Sequence, residues 1–183
     1  YHGVLLEALA TGWVRVPGRD PEEIPHLRGA LDHCGFNYYN STSFGPHGPG
    51  SWSDLADPPV DGMGRKVHPG GLEDGLLRVA NALPGVPLLV TENGCPTDDE
   101  TFRIRYVASH LAALERARRR GADVRGYFHW TAVDNYEWNF GFGTERFGFI
   151  GFDAQTQQRS VKDSGRWMAE LIASGVLDPA KIP

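Results

Sequence analysis

Three places in the 183-residue sequence carry side chains suited to chemistry on a small polar molecule, and each stands at the end of an apolar run. Glu92 and Asn93 follow Pro87-Leu-Leu-Val-Thr91. Asn37 to Tyr39 close the aromatic run that opens at Cys34. Trp130 ends the run from Val124 and begins the loop Trp130-Thr-Ala-Val-Asp-Asn-Tyr-Glu-Trp138, which holds two indoles and a carboxylate. A carboxylate at the mouth of an apolar strand needs solvent or a hydrogen-bonding neighbour to stay ionised, and a Tyr can supply that bond. Indole faces stack on a sugar ring while a carboxylate grips vicinal hydroxyls. Each feature also has a plainer reading, with Glu92 a solvated loop carboxylate and the Trp residues a packing cluster.

The elements that must position these groups are legible as periodicities. Val4, Leu5, Leu6 and Leu9 before Gly12 read as the end of a helix. Cys34 to Tyr39 suits a short buried strand, and Ser41 to Gly71 is rich enough in Gly and Pro to predict a long loop. Leu72, Leu76, Leu77, Ala80 and Leu83 form a helix face stopped by Pro84-Gly85. Pro87 to Thr91 reads as a parallel strand covered on both faces, with Glu92 directly after it. Ile104, Val107, Ala108, Leu111 and Leu114 mark a helix running to Gly121, and Arg116 to Arg120 are its solvated last turn, where cations suit the helix dipole. Val124 to Trp130 is a third strand, Phe147 to Asp153 a short extra one, and Trp167, Met168, Leu171 and Ile172 a last helix ending at Gly175. Helix and strand alternate throughout. Such an α/β chain builds parallel strands with right-handed crossovers, in a doubly wound sheet or a barrel of eight, and both place functional residues at the C-terminal ends of strands.

Composition narrows the partners. With 40% hydrophobic and 22% charged residues the chain is a globular one, and a net charge of −5 without a basic stripe excludes nucleic acid and anionic membrane as expected partners. No apolar run reaches the ~20 residues of a membrane span. Neither two cysteines at unrelated positions nor seven scattered histidines match a disulfide framework or a metal site, so no metal and no cofactor is expected. Free thiols fit a reducing compartment and make a cytoplasmic location the expectation. The sequence begins at Tyr1 rather than Met.

Taken together, the motifs closely resemble glycoside hydrolase family 1, the β-glucosidase family. Val90-Thr-Glu-Asn-Gly94 is similar to its nucleophile motif, and Gly126-Tyr-Phe-His-Trp130 through Asp134-Asn-Tyr-Glu-Trp138 to its last barrel strand and sugar-binding loop. Phe36-Asn-Tyr-Tyr39, Arg146-Phe-Gly-Phe149 and Lys162-Asp-Ser164 with Trp167 resemble further family segments in the same order. The resemblance implies residues 1–183 as the last three βα units, strands six to eight, of a (β/α)8 TIM barrel. It implies a retaining β-glycosidase acting on a β-glycoside or other small carbohydrate. Glu92 would be the nucleophile, Tyr39 its hydrogen-bond donor, and Asn37 a shaper of the same subsite. Trp130 would be the stacking platform, Glu137 would grip two hydroxyls and Trp138 a third, and Phe147 would line the pocket.

Two departures from the family pattern bear on function. Its acid/base Glu lies in an Asn-Glu-Pro segment of the fourth strand, and no Asn-Glu-Pro occurs in this sequence. Its Gly-Trp-x-x-x-Pro pattern has Arg65 in place of Trp. The expectation is therefore a chain that hydrolyses ordinary β-glucosides poorly by itself. The alternatives are a non-catalytic sugar-binding remnant and one half of a split barrel completed by the missing N-terminal half on the same or another chain.

Overall fold

A computed structural model describes residues 2–46 and 48–183. Helix α1 (His2–Thr11) stops where Gly12 adopts a φ of +80°, a left-handed conformation that glycine enters without steric cost. A two-residue antiparallel pair follows, β1 (Trp13–Val14) and β2 (Glu22–Glu23). Next come β3 (Cys34–Asn37) and the hairpin of β4 (Ser41–Gly45) with β5 (Gly48–Trp52). Then α2 (Pro69–Ala82), β6 (Leu88–Asn93), α3 (Glu100–Arg119) and β7 (Val124–His129) alternate. The small pairs β8 (Tyr136–Glu137) with β9 (Gly141–Phe142) and β10 (Ile150–Phe152) with β11 (Arg159–Val161) precede α4 (Asp163–Ser174), which ends at Gly175 with φ +67°.

The central sheet has the order β3-β6-β7, all parallel, so strands adjacent in space are also successive in the main alternation. Right-handed crossovers taken repeatedly in one direction bring their helices to one face, and α2 packs directly on α3. Sequence sets both helices. Pro69 occupies the first turn of α2, where its missing N–H costs nothing, and the Asp99 carboxylate caps α3 by accepting from Phe102 N at 3.0 Å. The core lies between this helix layer and the sheet: Leu72, Leu76, Leu88, Val90 and Ala117 are fully buried, with Tyr38, Val79, Leu83, Ala122 and Val124 nearly so. Arg116 and Arg120 both reach Glu73 of α2 from the exposed end of α3, contacts too solvated to contribute much stability.

Three expectations need correction. The stretch from Ser41 to Gly71 is not one loop: it contains the β4–β5 hairpin and the start of α2. A free two-stranded hairpin consists only of edges, which tolerate Gly and Pro where a central strand would not. Glu92 lies inside β6 rather than after it. Finally, β3 and β6 are covered on one face only. Leu88 and Val90 are completely buried, whereas Thr91 is exposed, Leu89 is half-buried, and Phe128 of β7 is 56% exposed on the opposite side of the sheet. The apolar residues that suggested two covered faces thus include a set left open to solvent.

One buried group makes the fold sensitive to pH. His110 of α3 is wholly enclosed, donates from Nδ1 to the Tyr106 carbonyl at 2.7 Å and stacks on the Tyr106 ring. Burial drives its pKa down to about 4, against the opposing pull of that hydrogen bond. The folded chain therefore holds His110 neutral at pH values where the unfolded chain protonates it. Stability from this source is intact above about pH 6.5 and declines as pH falls toward 4, by up to ~1.4 kcal/mol per pH unit. Urea midpoints measured across this range should fall less steeply in His110→Gln than in the parent; identical slopes would exclude the effect.

Candidate active site

The C-terminal ends of β3, β6 and β7 are gathered by one buried amide. Asn93 is completely enclosed; its Nδ2 donates to the Tyr38 carbonyl at 2.8 Å and to the Tyr106 hydroxyl at 3.1 Å, while its Oδ1 accepts from the Tyr127 hydroxyl at 2.8 Å. Tyr106 in turn donates to the Tyr39 carbonyl at 3.1 Å. Backbone bonds repeat the connection, with Tyr38 N donating to Glu92 O at 2.9 Å and Trp130 N to Asn93 O at 3.0 Å. Just before this point β6 carries an extra residue relative to both neighbours: its ladder with β3 jumps from Val90 to Glu92 and its ladder with β7 from Val90 to Asn93. Bulges of this kind re-aim side chains beside active sites. Thr91 then donates to Asn37 Oδ1 at 2.6 Å, and Glu92 Oε2 accepts from the Tyr39 hydroxyl at 2.7 Å.

The exit of β6 runs close beneath that of β7. A Cβ on Gly94 would come within 1.9 Å of the Trp130 carbonyl oxygen, so only glycine fits there. Beyond it, the buried guanidinium of Arg103 collects the carbonyls of Cys95, Phe147 and Arg146, each at 2.9 Å, together with that of Thr97. This ties the segment after β6 to the segment that delivers Phe147. Phe147 is buried and meets Tyr39 edge to face, ring centroids 6.3 Å apart. His129 supports the same segment, its Nε2 3.0 Å from the Phe147 carbonyl and its ring stacked on Phe149, and burial pushes its pKa down to about 4.

The structure therefore brings Asn37, Tyr39, Glu92 and Phe147 into one cluster, and the Trp130 backbone is tied beside it through Asn93. Glu137, half-buried on β8, acts on the Tyr39 phenol through its charge. Trp138 stands largely in solvent, 86% exposed. Sequence reasoning named Asn93 beside Glu92 and noted Arg65 without giving either a supporting role, and it missed Tyr106 and Arg103. Arg103 did leave a signal, because it shares the apolar face of α3 with Val107, where an unpaired cation would be untenable. Tyr106 left none, since its role depends on three strands converging. Among the described residues no three His, Cys, Asp or Glu side chains form a metal-binding group, and no helix is long and apolar enough to cross a membrane.

The Tyr39 phenol is pushed well above its ordinary range, first by burial and then by the Glu92 carboxylate that accepts its proton. It thus remains a donor to Glu92 throughout the neutral range. Difference spectroscopy in alkaline solution should show one phenol ionising at lower pH in Glu92→Gln than in the parent. Superimposable titrations would mean that the bond does not form.

Comparison with known proteins follows the same residues. Residues 10–176 match the model of Glycosyl hydrolase family 1. A bifunctional β-D-glucosidase/β-D-fucosidase of Bifidobacterium breve is 38% identical over 78% of this chain and 37% of its own length. A β-galactosidase of Sulfolobus acidocaldarius is 35% identical over 92% of this chain and 36% of its own. Among solved structures, a β-glycosidase from Pyrococcus horikoshii superposes with a TM-score of 0.81 at 31% identity, covering 96% of this chain and 42% of that one. A family 1 β-glucosidase from Thermotoga maritima in complex with isofagomine lactam gives 0.74 at 30% identity, over 85% and 37%. The chain spans about two fifths of the length of these relatives.

Proposed function

Because the chain belongs to glycosyl hydrolase family 1, we propose that residues 1–183 are strands six to eight, with their helices, of the (β/α)8 barrel of a retaining β-glycosidase. The arrangement of β3, β6 and β7 supports an arc of such a barrel: three parallel strands lie side by side with α2 and α3 packed together. A doubly wound sheet would send successive helices to opposite faces once its strand order reverses.

The observation that carries the chemistry is the 2.7 Å bond from the Tyr39 hydroxyl to Glu92 at the mouth of the parallel sheet. In this reading Glu92 attacks the anomeric carbon of a β-glycoside. The bond to the leaving oxygen breaks as that oxygen takes a proton from a second carboxyl about 5 Å from the first. A water deprotonated by the same second group then displaces Glu92 from the glycosyl ester. Tyr39 orients the carboxylate by bonding the oxygen that is not attacking, and Asn37 shapes the subsite beside it. Trp130 offers its indole face, Glu137 grips two sugar hydroxyls and Trp138 a third, and Phe147 closes the floor. The solved Thermotoga maritima β-glucosidase complexes with isofagomine lactam and glucoimidazole support a carbohydrate as the ligand of this site.

The second carboxyl has no counterpart among these residues, since the sequence has no Asn-Glu-Pro; in this reading it belongs to the part of the barrel outside them. Loss of general acid catalysis costs about 10²- to 10⁴-fold for a leaving group that needs a proton and little for one that does not. An activated 2-deoxy-2-fluoro-β-glucoside bearing a dinitrophenyl leaving group should therefore add the mass of one glycosyl unit to the peptide containing Glu92. An alkyl β-glucoside should be turned over at least ~10²-fold more slowly than by complete family members. Label on another residue, or none in the parent chain, would refute the nucleophile; rapid alkyl glucoside hydrolysis by the 183-residue chain would refute the missing acid.

A further inference from the structure

Next to the Tyr39–Glu92 pair stands a cation to which no part of the proposed reaction assigns a role. Arg65 belongs to a tight turn built on Asp61. The Asp61 carboxylate, 2% exposed, accepts from the backbone N–H groups of Met63 at 3.0 Å and Arg65 at 2.9 Å. Its Oδ2 also accepts from Arg65 Nε at 2.7 Å, with Nη2 equally close. The turn is fastened to the exit of β6 by Gly62 N donating to the Pro96 carbonyl at 2.9 Å, and a Cβ on Gly62 would press against that same oxygen. Arg65 therefore has little freedom. Its guanidinium carbon lies 5.2 Å from the centre of the Tyr39 ring and 5.7 Å from that of Phe147, the two rings that meet edge to face.

We infer that Arg65 is a positioning residue for the nucleophile: fixed by Asp61, its planar cation braces the Tyr39 ring against Phe147 and so aims the hydroxyl that holds Glu92. The inference rests on the glycosidase reading and adds to it a residue that touches neither substrate nor Glu92. The rings attract a guanidinium through their negative faces, and the attraction strengthens where water is partly excluded. Arg suits the place better than Lys, since only a planar fork can bond Asp61 and face two rings at once. An anionic substrate is not the better explanation of the charge. Asp61 holds the guanidinium, and the nearby Glu145 carboxyl is raised by burial and by Asp61, with Arg65 opposing and Glu137 adding to the effect. A negatively charged ligand would meet that acidic surrounding as well as Glu92.

The test uses the rate at which the 2-fluoroglucoside labels Glu92. Because Asp61 is what fixes Arg65, the changes are made with Asp61 in place and compared with the parent: Arg65→Met should lower the saturating rate of labelling about tenfold, with the half-saturating glycoside concentration within about twofold. Arg65→Lys, which keeps a counter-ion for Asp61 but lacks the planar fork, should recover only part of the loss. The deciding measurement adds Tyr39→Phe. If Arg65 acts through the Tyr39 hydroxyl, Arg65→Met slows the Tyr39→Phe chain by less than about twofold, because the two changes break one link. Labelling unaffected by Arg65→Met, or losses that multiply in the Tyr39→Phe background, would overturn the inference while leaving the glycosidase reading intact. Absence of any label in the parent would overturn both.

Discussion

Everything at the functional end of this molecule depends on keeping one amide satisfied away from water. A buried side-chain amide with unmade hydrogen bonds costs roughly 1–3 kcal/mol for each group left without a partner. Asn93 avoids that cost only when Tyr38, Tyr106 and Tyr127 are all in place, and these come from the exit of β3, from α3 and from β7. The requirement is collective. If any one element shifts by an ångström, a partner is lost, so the three strand ends are held in a single arrangement. Glu92 is the neighbour of Asn93 in the chain and Tyr39 the neighbour of Tyr38. Their 2.7 Å bond is thus set by a polar network on the helix side of the sheet, while the two groups themselves face the other side.

Arg103 performs the corresponding task one layer farther along. A cation without exposure is tolerable only if its donors are used. Four carbonyls and the Glu100 carboxylate use them, and those carbonyls belong to two segments far apart in sequence, 95–97 and 146–147. The bonds bring Phe147 against Tyr39, and Phe147 is also one of the rings beside Arg65. The site is assembled from outside inward: buried polar groups fix backbone segments, the segments fix aromatic rings, and the rings fix the carboxylate.

This division of labour explains what could be read in the sequence. The helices and the three parallel strands were legible because their apolar residues repeat at 3.6 or run continuously, and Gly12, Gly85 and Gly175 stop helices at the places composition suggested. Glu92, Tyr39 and Asn37 were legible because polar residues at the ends of apolar strands are conspicuous. The supporting part played by Asn93, and Tyr106 altogether, were not, because each acquires its role only through partners 13 to 67 positions away. The β4–β5 hairpin was hidden for a different reason. Gly and Pro signal loops reliably where strands are buried, and this pair has no further strand beside it to forbid them. The one-sided cover of β6 could not be read either, since an apolar run records what a strand needs and not which atoms provide it.

That open side bears on the chemistry. Thr91, Leu89 and Phe128 share it with the carboxylate, and Phe128 is more than half exposed. A nucleophilic carboxylate gains reactivity when water is excluded and its hydrogen bonds come from fixed donors. The chain supplies the fixed donor in Tyr39 but leaves the carboxylate half open to solvent, so the two halves of that requirement are divided between these residues and whatever covers the sheet. In the proposed glycosidase, the cover would be apolar opposite Leu89 and Phe128 and would present a protonated carboxyl opposite Glu92. A remaining arc of parallel strands meets both conditions together, because continuing the sheet from the edges of β3 and β7 encloses the apolar face and brings further strand ends to the same rim. A second surface docked flat on the sheet would bury the apolar residues yet obstruct the place where, in that proposal, a sugar ring lies against Trp130. Under the proposed function, completion along the strand edges suits the open face better than closure from above.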